Sequence, residues 1–281
     1  MVIQLFYNPC SGMYSEMAIK NVAEAFEGLG AVVICTECVL NKKIEIEQGV
    51  SHICIAGGDG TARSVIQAVM PVPKNISFSI YPLGTVNLIA RENGYSSDPN
   101  TFAKYVLAKE VARFHFTVKL NDTLFLACAS VGPDSVAVAS VSLRMKQCIG
   151  RAAYIVAILK IFLKWNRPHI KLEASGKTYD CEAFYVAKGR YFAGNWSFAH
   201  ASLSQPLLHV VAMKYARRRD FIRFIWAIVC DRVEEQEGLI FFTCTEIKAI
   251  CPDALPVQAD GDIVMTLPVA LSINTQPLAF L

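Results

Sequence analysis

The stretch Cys54-Ile55-Ala56-Gly57-Gly58-Asp59-Gly60-Thr61-Ala62-Arg63 constrains this chain more than any other. An apolar run of strand length, Ile53 to Ala56, enters a glycine-rich loop, and a helical pattern follows from about Ala62 to Met70. Strand, glycine turn and helix in that order belong to a βαβ unit and hence to a parallel sheet. Glycines let the backbone approach a phosphate closely. The helix N-terminus adds N–H groups without intrahelical partners and the positive end of a dipole. Gly57, Gly58, Gly60, Thr61, Ala62 and Arg63 are therefore candidates for a phosphate cradle. Asp59 stands inside that cradle, where a carboxylate repels a bare phosphate. Its presence makes sense if a metal ion, or an acidic substrate proton, stands between the two, and this points to phosphoryl transfer. Taken singly, a glycine-rich loop is as often a tight structural turn.

Two further segments repeat the pattern. Asn8-Pro9-Cys10-Ser11-Gly12 follows the apolar strand that starts at Val2 and precedes a helix from about Tyr14 to Leu29. Pro82-Leu83-Gly84-Thr85-Val86-Asn87 follows the strand Phe78 to Tyr81 and opens another helix. Each alone reads equally well as a turn with an N-cap. At successive strand ends of a doubly wound sheet, the three converge on one crevice, where ligands bind in such folds. Asn8, Pro9, Ser11, Gly12, Gly84, Thr85 and Asn87 join the candidate nucleotide site on that ground.

The spacing divides the chain in two. Residues 1–113 alternate strand and helix, including a short polar helix near Asn41–Gln48, and form a Rossmann-like α/β domain. From Phe114 the period changes to two, with a hairpin turn at Asn121-Asp122 and further strand pairs at Ile170–Ala174 with Tyr179–Ala187, Leu207–Met213, Ile240–Ile250 and Ala270–Asn274. Residues 114–281 are expected to form a mainly antiparallel, sandwich-like β domain with inserted helices at Ala152–Lys164 and Asp220–Arg232. The expected active site lies between the domains.

Composition closes off other classes. Over 281 residues, 53% are hydrophobic and 18% charged, which excludes a disordered chain. A net charge of +3 carries no nucleic-acid module. Most of the ten cysteines lie in apolar runs as small buried hydrophobes, and Cys35-Thr36-Glu37-Cys38 lacks a second pair at zinc spacing. The chain opens on a strand rather than a signal peptide, so a cytoplasmic location is expected. No run reaches the length of a membrane span; Ala152 to Trp165 comes nearest and carries Lys160 and Lys164.

Together, Asn8-Pro9-x-Ser11-Gly12, Gly57-Gly58-Asp59-Gly60-Thr61 and Pro82-x-Gly84-Thr85-x-Asn87-x-x-Ala90-Arg91 resemble the signature of the diacylglycerol kinase and sphingosine kinase superfamily, in particular its bacterial lipid kinases. Val131-Gly132-Pro133-Asp134, Gly150-Arg151-Ala152-Ala153-Tyr154, Gly189-Arg190-Tyr191-Phe192-Ala193-Gly194 and Ala259-Asp260-Gly261-Asp262 are similar to four downstream elements, in the right order. The resemblance implies an ATP-dependent, Mg²⁺-requiring kinase that phosphorylates a diacylglycerol-like or sphingoid-like lipid. It implies Thr36 and Thr85 as nucleotide contacts, Asp59 as the group that orients Mg–ATP or helps activate the hydroxyl, Asp262 as proton acceptor and Asp260 as its support. Nucleic acid is not an expected partner; a lipid at the membrane surface is, and a homodimer is left open.

The chain departs from the family in three places. Leu88 stands where a second acid usually follows the Gly-Thr-x-Asn turn, and Asp262 is one methylene shorter than the usual Glu. In Ser202-Leu203-Ser204-Gln205-Pro206-Leu207, Gln205 replaces the carboxylate of a structural Mg²⁺ loop, so no metal is expected there. An NAD kinase-like enzyme shares the Gly-Gly-Asp-Gly-Thr loop, and a catalytically silent nucleotide- or lipid-binding member is a third reading. Finally, Lys214, Arg217, Arg218, Arg219 and Arg223 beside Phe221, Phe224 and Trp226 suit an anionic membrane surface. Apolar residues nearly encircle that helix, so it is expected to be buried with a charged entrance.

Overall fold

The computed structural model describes residues 1–38, 44–140, 167–193, 196–197, 200–230 and 232–281. They form two compact units, Met1–Phe116 with Gln276–Leu281, and Thr117–Thr275.

The first unit runs β1 (Val2–Tyr7), α1 (Glu16–Glu27), β2 (Val32–Glu37), β3 (His52–Gly57), α2 (Asp59–Val69), β4 (Ser77–Pro82), α3 (Leu88–Asn93), α4 (Pro99–Leu107) and β5 (Arg113–His115). Its sheet has the order β2-β1-β3-β4-β20-β5, where β20 is Leu278–Phe280. β1 to β4 and β20 pair in parallel and β5 is antiparallel. Every residue of β3 is buried, as expected of a central parallel strand covered on both faces. That strand still carries His52, whose ring nitrogens meet the Ser77 and Ser79 hydroxyls, each at 2.8 Å; burial holds its pKa down at about 3. Ser15 caps α1 by accepting the Ala18 N–H, and the stripe Ile19, Val22, Ala23 and Phe26 faces inward.

Two features of this unit differ from expectation. The chain's last residues, assigned to the second domain by the change of period, return to this sheet. Phe280 packs on Phe78 and His115, and the Tyr95 hydroxyl donates to the Leu281 carbonyl. Three residues are too short a run for periodicity to place. Residues 44–48 are not helical; the Gln4 side chain instead binds the Glu45 carbonyl and the Glu47 N–H. The remainder of that expected helix, 41–43, lies outside the described residues.

The second unit begins with β6 (Val118–Leu120), β7 (Thr123–Phe125), β8 (Cys128–Val131) and α5 (Pro133–Ser140). It continues with β9 (Ile170–Ala174), β10 (Lys177–Cys181), β11 (Ala183–Ala187), β12 (Tyr191–Ala193), β13 (Trp196–Ser197), β14 (Leu208–Met213) and α6 (Arg218–Val229). β15 (Leu239–Cys244), β16 (Glu246–Ile250), β17 (Pro256–Ala259), β18 (Asp262–Thr266) and β19 (Val269–Ile273) complete it. Two six-stranded antiparallel sheets, β10-β9-β16-β19-β6-β7 and β15-β14-β11-β8-β17-β18, share one apolar core that includes Leu120, Leu172, Val186, Val210 and Leu271. This is the expected sandwich. The predicted strand Ile240–Ile250 is two strands, one in each sheet.

On β11, Phe184 and Val186 face the sandwich while Ala183 and Tyr185 face α6, so the whole strand is buried. Only one side of α6 is covered: Phe221, Phe224 and Ala227 are buried, but Ile222, Trp226 and Val229 are exposed. The expectation of a buried helix is corrected. Its apolar residues form two faces, and the sheet can cover only one. The expected helix at Ala152–Lys164, the Gly150–Tyr154 element and Gly194 lie outside the described residues.

Candidate active site

The strand order places β1 between β2 and β3, so the chain reverses direction across the sheet at that point. This is the topological switch where open α/β sheets bind ligands. The loops after β1, β3 and β4 leave the same edge of the sheet and meet one another. Asn8 Nδ2 donates to Thr61 Oγ1 at 3.2 Å, its Oδ1 accepts the Cys10 N–H, and Ser11 Oγ lies 3.3 Å from Thr61 Oγ1. The Met13 N–H donates to the Leu83 carbonyl, and the Leu83 N–H to the Gly57 carbonyl.

Glycine is required where these loops cross. A methyl on Gly84 would fall 2.4 Å from the Gly58 Cα, and one on Gly57 would fall 2.6 Å from Thr61 Cβ. A methyl on Gly12 would meet Thr85 Oγ1 at 3.3 Å, a contact with a side-chain tip that can move. Pro9, Gly12 and Thr85 are exposed; Ser11, Gly58, Gly60 and Arg63 are half-buried; Ala62 is buried in the first turn of α2. Thr36, on β2, accepts the Gln4 amide at 3.1 Å, apart from the hydrogen bonds that join these loops. Asn87 closes its own turn, its Oδ1 accepting the Gly84 N–H and its Nδ2 donating to the Gly84 carbonyl, both at 2.8 Å, with φ at 57°.

Asp59 is not the surface-cleft carboxylate that its neighbours suggest. It is buried, and its two oxygens accept the N–H groups of Leu88 and Ile89 at 2.9 and 3.0 Å. Asn87 uses its side chain within the turn, so α3 lacks a local cap and Asp59 supplies one from 29 residues away. Burial raises the Asp59 carboxyl pKa against the pull of these amides. Leu88, which replaces an acid in the resemblance, keeps its side chain buried.

In the second unit, Asp260 and Gly261 are the two corner residues of the β17–β18 hairpin, both at positive φ, which is why an Asp-Gly pair stands there. The Asp260 carboxylate is buried and accepts the N–H groups of Leu126, Ala127 and Cys128 at 2.8, 2.8 and 3.2 Å. Expected as catalytic support, it anchors the β7–β8 connection. Asp262, two residues on, is half-buried at the start of β18. The two acids of the motif thus differ in burial.

Beside this hairpin lies a polar row of which the sequence marked only Asp134, in the Val131–Asp134 element. Tyr185, Ser130 and Gln258 are in register across β11, β8 and β17. Ser130 Oγ contacts Gln258 Oε1 at 3.1 Å and donates to Asp134 at the start of α5. Asp134 is half-buried with its Oδ1 enclosed, and desolvation lifts its pKa to about 6. The Tyr185 hydroxyl acts on it electrostatically, with no hydrogen bond of ordinary length between them. Polar residues inside otherwise apolar strands were the available signal.

The loop Ser202–Leu207 does not fit a structural magnesium ion. Lys188 is wholly buried, and its ammonium donates to the Ser202 and Leu203 carbonyls, each at 2.8 Å. Carbonyl oxygens that would ligate a cation already hold one, and Gln205 brings no charge.

Residues 3–118 match the diacylglycerol kinase catalytic domain, and residues 127–281 match the YegS C-terminal NAD kinase beta sandwich-like domain. A diacylglycerol kinase of Bacillus subtilis is 23% identical over 277 residues, 94% of this chain and 91% of that protein. A protein of Pseudomonas putida named "Probable lipid kinase YegS-like" is 32% identical over 149 residues, 52% of this chain and 50% of that one. In three dimensions the chain is similar to the crystal structure of a diacylglycerol kinase from Bacillus anthracis, with a TM-score of 0.75 at 17% identity, covering 99% of this chain and 96% of that one.

Proposed function

The chain belongs to the diacylglycerol kinase and YegS-like lipid kinase family, and on that premise we propose that it transfers the γ-phosphate of ATP to a hydroxyl of a diacylglycerol-like or sphingoid-like lipid. The observation that carries the reading is the convergence of three loops at the switch point of the first sheet, with glycines at each crossing and donors from Asn8, Ser11 and Thr61. Phosphoryl transfer asks mostly for positioning and charge stabilisation. In this reading the first-turn amides of α2, with Ser11, Gly12, Thr85 and Arg63, hold the phosphates. Mg²⁺ arrives as the nucleotide complex and supplies charge neutralisation. Asp59 is a positioning residue that fixes the Gly84–Asn87 turn through α3.

Asp262 takes the proton of the acceptor hydroxyl as the oxygen attacks the γ-phosphorus, and the bond to the ADP oxygen breaks. Asp260 is assigned to structure, because its lone pairs are engaged by three amides. The match of the second unit to a domain described as NAD kinase-like favours a second reading, in which NAD is the acceptor. One experiment separates them. Purified protein is incubated with labelled ATP, Mg²⁺ and a panel of diacylglycerol, monoacylglycerol, ceramide, sphingosine and NAD. A labelled lipid supports the kinase reading, labelled NADP supports the second, and nucleotide binding with no labelled product marks a silent member.

A further inference from the structure

The outward face of α6 carries chemistry that the phosphoryl-transfer reading does not use. Its inner face, Phe221, Phe224 and Ala227, packs on Tyr185, Val211 and Met213 of the sheet. On the opposite side Ile222, Trp226 and Val229 are 54, 68 and 52% exposed, at the i, i+4, i+7 spacing that lines up one stripe. Folding gains nothing from three large apolar side chains held in water at adjacent positions.

Arginines flank the stripe. At 100° per residue, Arg218 lies on one side of it and Arg219 and Arg223 on the other, and all three are exposed. Immediately before the helix, Tyr215 is 44% exposed, with the Lys214 ammonium 5.6 Å and the Arg217 guanidinium 4.8 Å from its ring centroid. Between Lys214 and Cys230 the sequence places five cations against one acid, Asp220. That acid is turned to the base of the helix, where it completes a capping box with Arg217. The side chains that flank the apolar stripe are thus arginines, of which Arg219 also lies 3.7 Å from Asp220.

From this arrangement we propose that the outer face of α6, with Tyr215, is the surface by which the protein docks on an anionic lipid bilayer. Trp226, Ile222 and Val229 enter the headgroup–acyl boundary, and the arginines pair with lipid phosphates. A helix with a large apolar face and basic flanks lies in the interface plane in this way. No described helix is long and apolar enough to cross a membrane, and the proposal requires none. A second copy of the chain suits the surface poorly, because a twofold contact through it would set arginine against arginine. The inference does not depend on the kinase reading: vesicle binding is measured without nucleotide or acceptor.

The test is co-sedimentation of the whole protein with vesicles of phosphatidylcholine alone and of phosphatidylcholine with phosphatidylglycerol. Binding is expected only to the anionic vesicles and should weaken as salt rises. Trp226→Ser with Ile222→Ser should abolish it. Arg218→Gln, Arg219→Gln and Arg223→Gln together should reduce it roughly 100-fold and flatten the salt dependence. All these side chains are exposed, so the melting temperature should stay within about 2 °C of the native chain. No vesicle binding by the native protein overturns the proposal. So does binding that both variant sets retain, or a dimer that Trp226→Ser dissociates in a protein that ignores vesicles.

Discussion

The Asp59 carboxylate holds the Leu88 N–H at 2.9 Å, so the acid of the glycine loop is tied to the first turn of the helix that follows the next strand. One side chain thereby locks together two of the three loops that make the candidate nucleotide site. Removing it is a structural change as well as an electrostatic one. Asp59→Asn presents an amide N–H to one of the two backbone donors it now accepts, and burial prevents water from taking over. The variant should lose about 1.5–3 kcal/mol of stability, seen as a lower denaturation midpoint with an unchanged denaturant slope. A variant with native stability would mean that α3 does not need this cap.

Gly84 and Gly12 make a matched pair. Gly84→Ala drives a methyl into the Gly58 backbone, whereas Gly12→Ala meets only the tip of Thr85. The first should cost about 1–3 kcal/mol and weaken Mg–ATP binding by roughly tenfold or more through loop displacement. The second should leave stability within about 0.5 kcal/mol of native, as expected of a contact that relaxes, and because Gly12 itself stands at the phosphates any loss of Mg–ATP affinity should come without a loss of stability. Calorimetric titration with Mg–ATP, beside thermal melts, reads both. Equal behaviour of the two variants would refute the assignment of the glycine crossing to the nucleotide.

Much of this site is legible in the sequence because its residue types are local requirements. Glycines mark where backbones cross, Asn87 and Asp260 mark left-handed turns, and the strand before each loop is an uninterrupted apolar run. What is not legible depends on partners far along the chain. Nothing near Asp59 says that its partners are amides 29 and 30 residues later, and nothing near Asp260 points to the amides of residues 126–128. Both read as free acids because backbone groups leave no mark in sequence. Strand β20 is hidden by its shortness, and the two faces of α6 are hidden because apolar residues occur on both. Lys188, in the run Tyr185-Val186-Ala187-Lys188, reads as a strand end; only the fold reveals that its ammonium is enclosed.

Lys188→Met tests that enclosure. The methionine fills a similar volume but leaves the Ser202 and Leu203 carbonyls without their donor, at about 1–3 kcal/mol for each buried group. The native chain should melt at the same temperature with EDTA or with millimolar Mg²⁺ in the absence of nucleotide, and Mg²⁺ should not restore the variant. A chelator-induced drop in the native melting temperature would show that the loop depends on a metal after all.

Two opposed groups with large shifts, His52 and Asp134, should contribute to the response of stability to acid. His52 is held neutral in the fold with its pKa near 3, below the ordinary histidine value of 6.5. Its contribution is complete above about pH 6.5 and is lost as pH falls toward 3. Asp134 is raised from 3.8 to about 6, so its contribution is complete below about pH 4 and is lost as pH rises through 6. The two partly cancel between pH 4 and 6. In Asp134→Asn, where Ser130 can still donate to the amide oxygen, the histidine part is no longer offset by Asp134, and stability should fall more steeply from pH 6.5 to 4 than in the native chain. The stability difference between variant and native should shift in favour of the variant by on the order of 3 kcal/mol from pH 4 to 7 and then stay constant. A difference independent of pH would mean that Asp134 ionises normally.

The two acids of the terminal motif should separate cleanly. Asp260→Asn replaces an acceptor of three buried amides and should lower stability by about 3 kcal/mol or more, with activity falling alongside the folded fraction. Asp262→Asn should leave the melt unchanged, because the side chain is half-exposed and the hairpin corner is formed by Asp260 and Gly261. If Asp262 takes the acceptor's proton, its loss should slow single-turnover phosphate transfer by about 10²- to 10⁴-fold at saturating ATP, while ATP affinity measured by calorimetry stays within a factor of about three. A residue that only gripped the nucleotide would give the reverse, weaker ATP binding with transfer intact once saturated. The comparison is decisive because both variants remove the same charge two residues apart, one from a buried carboxylate that holds three amides and one from a half-buried side chain. Unimpaired transfer in Asp262→Asn would move the search for the base away from this hairpin, since Asp260 has no lone pair in an exposed position to take its place.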